Sequence, residues 1–88
     1  MMDLSALREE IDSIDSSLVP LIARRLALVD RIAAAKKESG ARIEDCGRER
    51  EILSRVASQA GEDCAPDVEA IFKAIFAVSK DRESRRMK

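Results

Sequence analysis

Along the first third of the chain, apolar residues return in alternating steps of three and four: Leu4, Leu7, Ile11, Ile14, Leu18, Leu21, and then Leu28, Ile32 and Ala35. That spacing draws one stripe down an α-helix whose seam packs against other helices, and it predicts a first helix from about Leu4 to about Glu38. Asp3 stands where an N-cap belongs, and Met1-Met2-Asp3 leads directly into the helix. Lys36, Lys37 and then Gly40 mark the other end. At 1.5 Å per residue the element is roughly 50 Å long, well beyond the diameter of a globule of this chain length. Pro20 removes the bond to the Ser16 carbonyl, but the seam keeps its phase on both sides, so a kinked continuous helix is expected rather than two helices.

Ala41 to Gly47 reads as a loop, from which Asp45 caps a second helix running to about Ala60, with Ile52, Leu53, Val56 and Ala60 on its inner face. Gly61 ends it. Asp63 and Pro66 mark a third start, and Val68, Ile71, Phe72, Ile75, Phe76 and Ser79 give an amphipathic helix that runs to the charged tail. The chain is thus read as all-α, one domain over residues 1–88 with a long, a short and a medium helix. The second and third helices together are only about as long as the first, so folded back on it they leave part of its seam uncovered. A second copy of the long helix is the economical cover, which predicts an antiparallel or interlocked homodimer.

One residue breaks the seam. Arg25 occupies the step between Leu21 and Leu28, and a guanidinium on a core face costs several kcal/mol unless an acidic side chain or a bound anion meets it. Lys36 lies eleven residues on and returns to within about 20° of the same direction, roughly 16 Å away along the axis. Val29 and Ile32 separate the two charges. The pair is either a basic solvated stripe or two long arms converging on one small anion. Arg8, roughly 25 Å from Arg25, is too far to reach that anion within one chain, although an antiparallel partner helix brings it there; its plainer reading is an ion pair with Asp12 or Asp15.

Composition narrows the chemistry. The chain carries 16 basic and 17 acidic residues for a formal net charge of -1, which gives no support to a nucleic-acid or membrane partner. Cys46 and Cys64 form no CxxC pair and there is no histidine, so neither a zinc site nor a disulfide scaffold is suggested, and Ser-His-Asp and Cys-His catalysis are excluded. No apolar run of signal-peptide or membrane-spanning length is present, and a soluble cytoplasmic protein is expected. An enzyme built from this chain works with Arg, Lys, Asp, Glu and Ser.

Two further clusters complete the candidates. Asp45 and Glu49 suit the positive end of the second helix as cap and first-turn acid, whereas Arg48 between them does not. Ser79 and Glu83 extend the apolar stripe of the third helix at seven and eleven residues from Phe72, with a surface ion pair from Glu83 to Lys80 or Arg86 as the plainer reading.

Taken in order, these residues resemble the all-helical chorismate mutase family over nearly the whole chain. Leu7-Arg8-Glu9-Glu10-Ile11-Asp12-Ser13-Ile14-Asp15 is similar to the family's L-R-x-x-I-D-x-I-D opening, Arg24-Arg25 and Lys36 follow at the family's spacing, and Ile43-Glu44-Asp45-Cys46-Gly47-Arg48-Glu49 is similar to I-x-D-x-x-R-E. The resemblance implies an intertwined homodimer with two shared sites that rearrange chorismate to prephenate, in phenylalanine and tyrosine synthesis, without metal or cofactor. It implies that Arg8 of one protomer joins Arg25, Lys36, Asp45, Arg48, Glu49, Ser79 and Glu83 of the other. In that site Arg8 and Arg25 clamp carboxylates, Lys36 donates to the ether oxygen, Asp45 and Glu49 orient the ring hydroxyl, and Arg48 and Ser79 complete the wall around the ring carboxylate.

The chain departs from the family at two positions. Many members carry Gln in place of Glu83, where the amide donates a second hydrogen bond to the ether oxygen, so a glutamate needs a proton to do the same. The other departure is Pro20, in a helix that is usually uninterrupted there. Two rivals follow from the resemblance and the pattern: a relative that eliminates pyruvate from isochorismate in the same pocket, and a non-catalytic helical dimerisation or regulatory module. The chain has no room for a fused dehydratase, dehydrogenase or amino-acid-sensing domain, so feedback control is expected only through a partner.

Overall fold

In a computed structural model, residues 3–88 are described and Met1 and Met2, read above as the lead into the first helix, lie outside the described residues. Asp3 accepts a hydrogen bond from the Ser5 amide at 2.9 Å and opens helix α1, Leu4–Ser39. Pro20 lies inside this helix without dividing it. Gly40 ends it at φ 76°, a left-handed conformation that glycine adopts without a Cβ penalty, with its amide bonded to the Lys36 carbonyl. After a short loop, Asp45 accepts from the Arg48 amide at 3.0 Å and starts α2, Cys46–Ala60, which Gly61 closes at φ 83°.

Helix α3 spans Ala65–Arg86, beginning between Asp63 and Pro66, the residues that mark its start in the sequence. Cys64 holds the N-cap position and offers no side-chain hydrogen bond. Pro66 in the first turn supplies a fixed φ and no amide hydrogen to satisfy, so the helix begins without a carboxylate cap.

α3 is the central element: α1 and α2 each pack against it. This corrects the picture of two helices folded back on the first, because α2 is held off α1 by α3. Ile52 and Val56 of α2 and Phe76 of α3 form the buried centre, flanked by Leu53, Val68 and Phe72, with the two phenylalanine rings edge to face at 6.2 Å. Ile71, expected inside, is 60% exposed and lies away from this centre.

The long seam of α1 is also not where the single chain buries its surface. Val29 and Ala33 are the buried residues of α1, one position on from Leu28 and Ile32 and so about 100° around the helix. Leu4, Leu7, Ile11, Ile14, Leu18 and Leu21 remain exposed, each between 41% and 59%. The reason is length: α3 has 22 residues against 36 in α1, so it covers one half of the long helix and leaves the other projecting. The molecule is accordingly 58 Å long and 15 Å thin.

A charged clasp fixes α1 to α3. Arg82 donates from Nε and Nη2 to the two Asp30 carboxylate oxygens at 2.7 and 2.9 Å, and Arg86 Nε stands 3.2 Å from the same group. The Arg82 hydrogen bonds, ahead of the surrounding positive charges, hold the Asp30 carboxyl below the usual carboxylate range. A depressed folded-state value stabilises the protein above the ordinary aspartate range and is lost as pH falls through it. Asp30→Asn is therefore expected to lower the thermal midpoint at neutral pH, with the gap to the parent protein closing as the solution is acidified. A gap that stays constant across the acid range, measured by thermal unfolding at a series of pH values, contradicts this role.

Candidate active site

The C-terminal half of α1, the loop after it, the first turn of α2 and the second half of α3 enclose a cavity of about 350 Å³. Helical spacing brings its polar groups there in register: Arg25 and Lys36 from one side of α1, Ser79 and Glu83 one turn apart on α3, and Asp45, Arg48 and Glu49 from the start of α2. Leu28 and Ile32, exposed yet apolar, line the same cavity above a floor of Val29, Ile52 and Phe76. Seven of the eight residues singled out from the sequence thus converge. Arg8 does not; it is exposed in the projecting half of α1, and among the described residues it makes no ion pair with Asp12 or Asp15.

Arg25 is partly buried and donates from Nη1 to the Ser79 hydroxyl at 3.2 Å. Among the described residues no carboxylate reaches ion-pair distance of it. Burial first, and then the like charge of Arg48, lower its pKa from the ordinary arginine value. Both causes mark a cation lacking its counter-charge. Among the described residues Arg48 itself pairs only with Glu51 outside the cavity, at 3.3 Å between exposed side chains, a contact of small energy.

Two further cations of the wall are matched, Lys36 by Glu83 and Lys80 by Glu49. Lys36 Nζ donates to the Ile43 carbonyl at 2.7 Å and lies 2.8 Å from Glu83 Oε1. Glu83 is buried, which corrects its surface reading: Lys80 and Arg86 are engaged elsewhere and Lys36 is its partner. The approach of Lys36 satisfies charge but not hydrogen-bond direction, so Glu83 Oε1 is a buried oxygen without a hydrogen bond. Asp45 spends one oxygen on the α2 cap.

Lys80 is the site residue that the sequence reading missed. It lines the cavity, and its Nζ stands 3.1 Å from Glu49 Oε2 and 3.2 Å from Glu44 Oε1. Its sequence neighbours were the available signal: it follows Ser79 directly and lies three residues before Glu83, at the edge of the same helical face.

The wall therefore presents four cations and three carboxylates, with Lys36 matched to Glu83, Lys80 to Glu49, Asp45 in no ion pair among the described residues, and the two guanidiniums of Arg25 and Arg48 without an ion-pair partner in the wall. Such a cavity holds a small molecule with two acidic groups, apolar contact on one side and hydrogen-bond acceptors on the other. Among the described residues no group of three or more His, Cys, Asp or Glu is arranged for a metal ion, and no helix is long and apolar enough to cross a membrane.

Comparison with known proteins bears on what that molecule is. Residues 7–84 match the family described as Chorismate mutase type II. The T-protein of Enterobacter agglomerans is similar to the chain, 38% identical over 84 residues, which is 93% of this chain and 22% of that protein. The chain thus spans about a fifth of the length of this curated relative. No solved structure matches it at comparable stringency.

Proposed function

The chain belongs to the chorismate mutase type II family, and from this premise we propose that it is a chorismate mutase domain over residues 1–88, acting as a homodimer with two sites shared between protomers. The reaction is the [3,3]-sigmatropic rearrangement of chorismate to prephenate. The observation that carries the assignment is the pair of guanidiniums, Arg25 and Arg48, left without an ion-pair partner in a wall where Lys36 and Lys80 each have one. Chorismate is a dicarboxylate, and its two carboxylates meet the two guanidiniums.

The dimer rests on the exposed half of α1. Its stripe from Leu4 to Leu18 is too long and too continuous for a monomer surface, and it runs on into an apolar groove of about 240 Å³ between Ile22, Leu26, Ile71, Ile75 and Val78. Covering the stripe with the same stripe of a second chain carries Arg8 of the partner subunit toward the cavity, where it adds a further cation for a substrate carboxylate.

A pericyclic reaction needs shape and charge rather than a nucleophile or a base. Leu28, Val29, Ile32 and Phe76 hold the flexible enolpyruvyl arm over the ring, while the arginines fix both ends of the molecule. In the transition state the breaking ether bond polarises and negative charge gathers on its oxygen. Lys36 has three N–H donors, of which the Ile43 carbonyl takes one, and it directs another to that oxygen. Asp45 and Glu49 accept from the ring hydroxyl, and Ser79 completes the wall beside Arg25 and Arg48. Lys36, Arg25 and Glu83 are the catalytic groups, and no cofactor enters the reaction.

Glu83 donates the second hydrogen bond to the ether oxygen only when it takes up a proton and gives up its ion pair with Lys36. The experiment is a pH-rate profile with chorismate for the parent protein and for Glu83→Gln. Glu83→Gln, whose amide donates without needing a proton, is expected to stay active with a flat profile, distinct from that of the parent protein. Coincident profiles, or a Gln variant inactive at every pH, contradict the donor role; a parent protein that leaves chorismate unchanged at every pH contradicts the assignment itself.

A further inference from the structure

We propose that Lys80 is a positioning residue of this site, holding Glu49 away from Arg25 and leaving one Glu49 oxygen for the substrate's ring hydroxyl. The inference rests on the reading of the cavity as a chorismate site. Its ground is the geometry of three side chains from three segments: Lys80 on α3, Glu49 in the first turn of α2, and Glu44 in the loop before it, with Lys80 Nζ at 3.1 Å from Glu49 and 3.2 Å from Glu44.

Glu49 needs such a partner because of where it stands. It lies in the same wall as Arg25 and Arg48, which must stay available for the substrate's carboxylates, and among the described residues Lys80 is the cation within ion-pair distance of it. Without Lys80 its negative charge has two outlets, and both harm binding: it repels a dianionic substrate, or it captures the guanidinium of Arg25. Lys80 stands 3.1 Å from Oε2, and Oε1 is the oxygen left to accept the ring hydroxyl. Its second contact, to Glu44, braces the loop and the start of α2 against α3, and this is the segment that presents Asp45 and Arg48. Glu49 first and Glu44 second raise the Lys80 pKa above the ordinary lysine value, so the brace stays charged wherever an enzyme of this kind works.

Steady-state kinetics with chorismate on Lys80→Met, Lys80→Arg, Glu49→Gln and the Lys80→Met/Glu49→Gln double variant test the proposal. Lys80→Met is expected to raise KM on the order of tenfold with a smaller change in kcat, and Lys80→Arg to recover most of the loss. In the Glu49→Gln background the same Lys80→Met change should cost little more, since the charge it answers is gone. A KM for Lys80→Met equal to that of the parent, or the same fold-increase with and without the Glu49 charge, overturns the proposal. A ligand-free arm separates this from the functional assignment: NMR titration of the Lys80 ammonium should move toward an ordinary lysine in Glu49→Gln, and an unmoved titration overturns the pairing whether or not chorismate turns over. A moved titration in a protein that does not convert chorismate keeps the pair and refutes the assignment alone.

Discussion

Arg25→Ala is expected to lower kcat/KM by about three orders of magnitude while leaving the ligand-free protein as stable as before, or more so. Loss of one preorganised charged donor at a reacting anion costs about 10²–10³ in rate, and here a substrate carboxylate loses its anchor as well. Stability moves the other way because the guanidinium is partly buried, repelled by Arg48 and met only by the Ser79 hydroxyl at 3.2 Å. Alanine also favours the interior of a helix. Steady-state kinetics beside thermal unfolding without ligand reads both halves of the expectation. A marked loss of stability makes Arg25 a structural residue, and retained activity removes it from the site.

Arg8→Ala and Lys36→Ala should each abolish most activity alone and restore part of it when refolded together. The two residues are roughly 42 Å apart along one α1 at 1.5 Å per residue, so a single chain does not bring both to one substrate. In a mixed dimer one site contains both replacements and the other contains neither. Random pairing makes half of the dimers mixed, each with one intact site, so recovery should approach about a quarter of the parent activity. Lys36→Ala carries the larger single effect, because it removes the ether-oxygen donor and also strips buried Glu83 of its partner at 2.8 Å. No recovery in a sample shown to contain heterodimers contradicts a site shared between chains.

Local signals in the sequence were strong wherever one residue decides a backbone conformation. Asp3, Gly40, Asp45 and Gly61 delimit helices to within a residue or two because caps and left-handed turns demand those residue types. Arg25 was legible for the opposite reason, as a charge in a stripe that should be apolar. What periodicity alone does not carry is which stripe meets which neighbour. α1 has apolar residues on more than one face, and the single chain buries Val29 and Ala33 while the more regular seam stays exposed. Lys80 escaped notice because a lysine at the edge of a helical face looks like solvated surface until the fold brings Glu44 and Glu49 to it.

Product identification by proton NMR, after mixing the purified protein with chorismate and, separately, with isochorismate, tests the assignment most directly. The account predicts prephenate from chorismate, formed without release of pyruvate and faster than any reaction of isochorismate. Pyruvate released from isochorismate as the dominant reaction makes the protein a lyase of the same fold, and two unchanged substrates make it a helical module without this chemistry; either result contradicts a chorismate mutase.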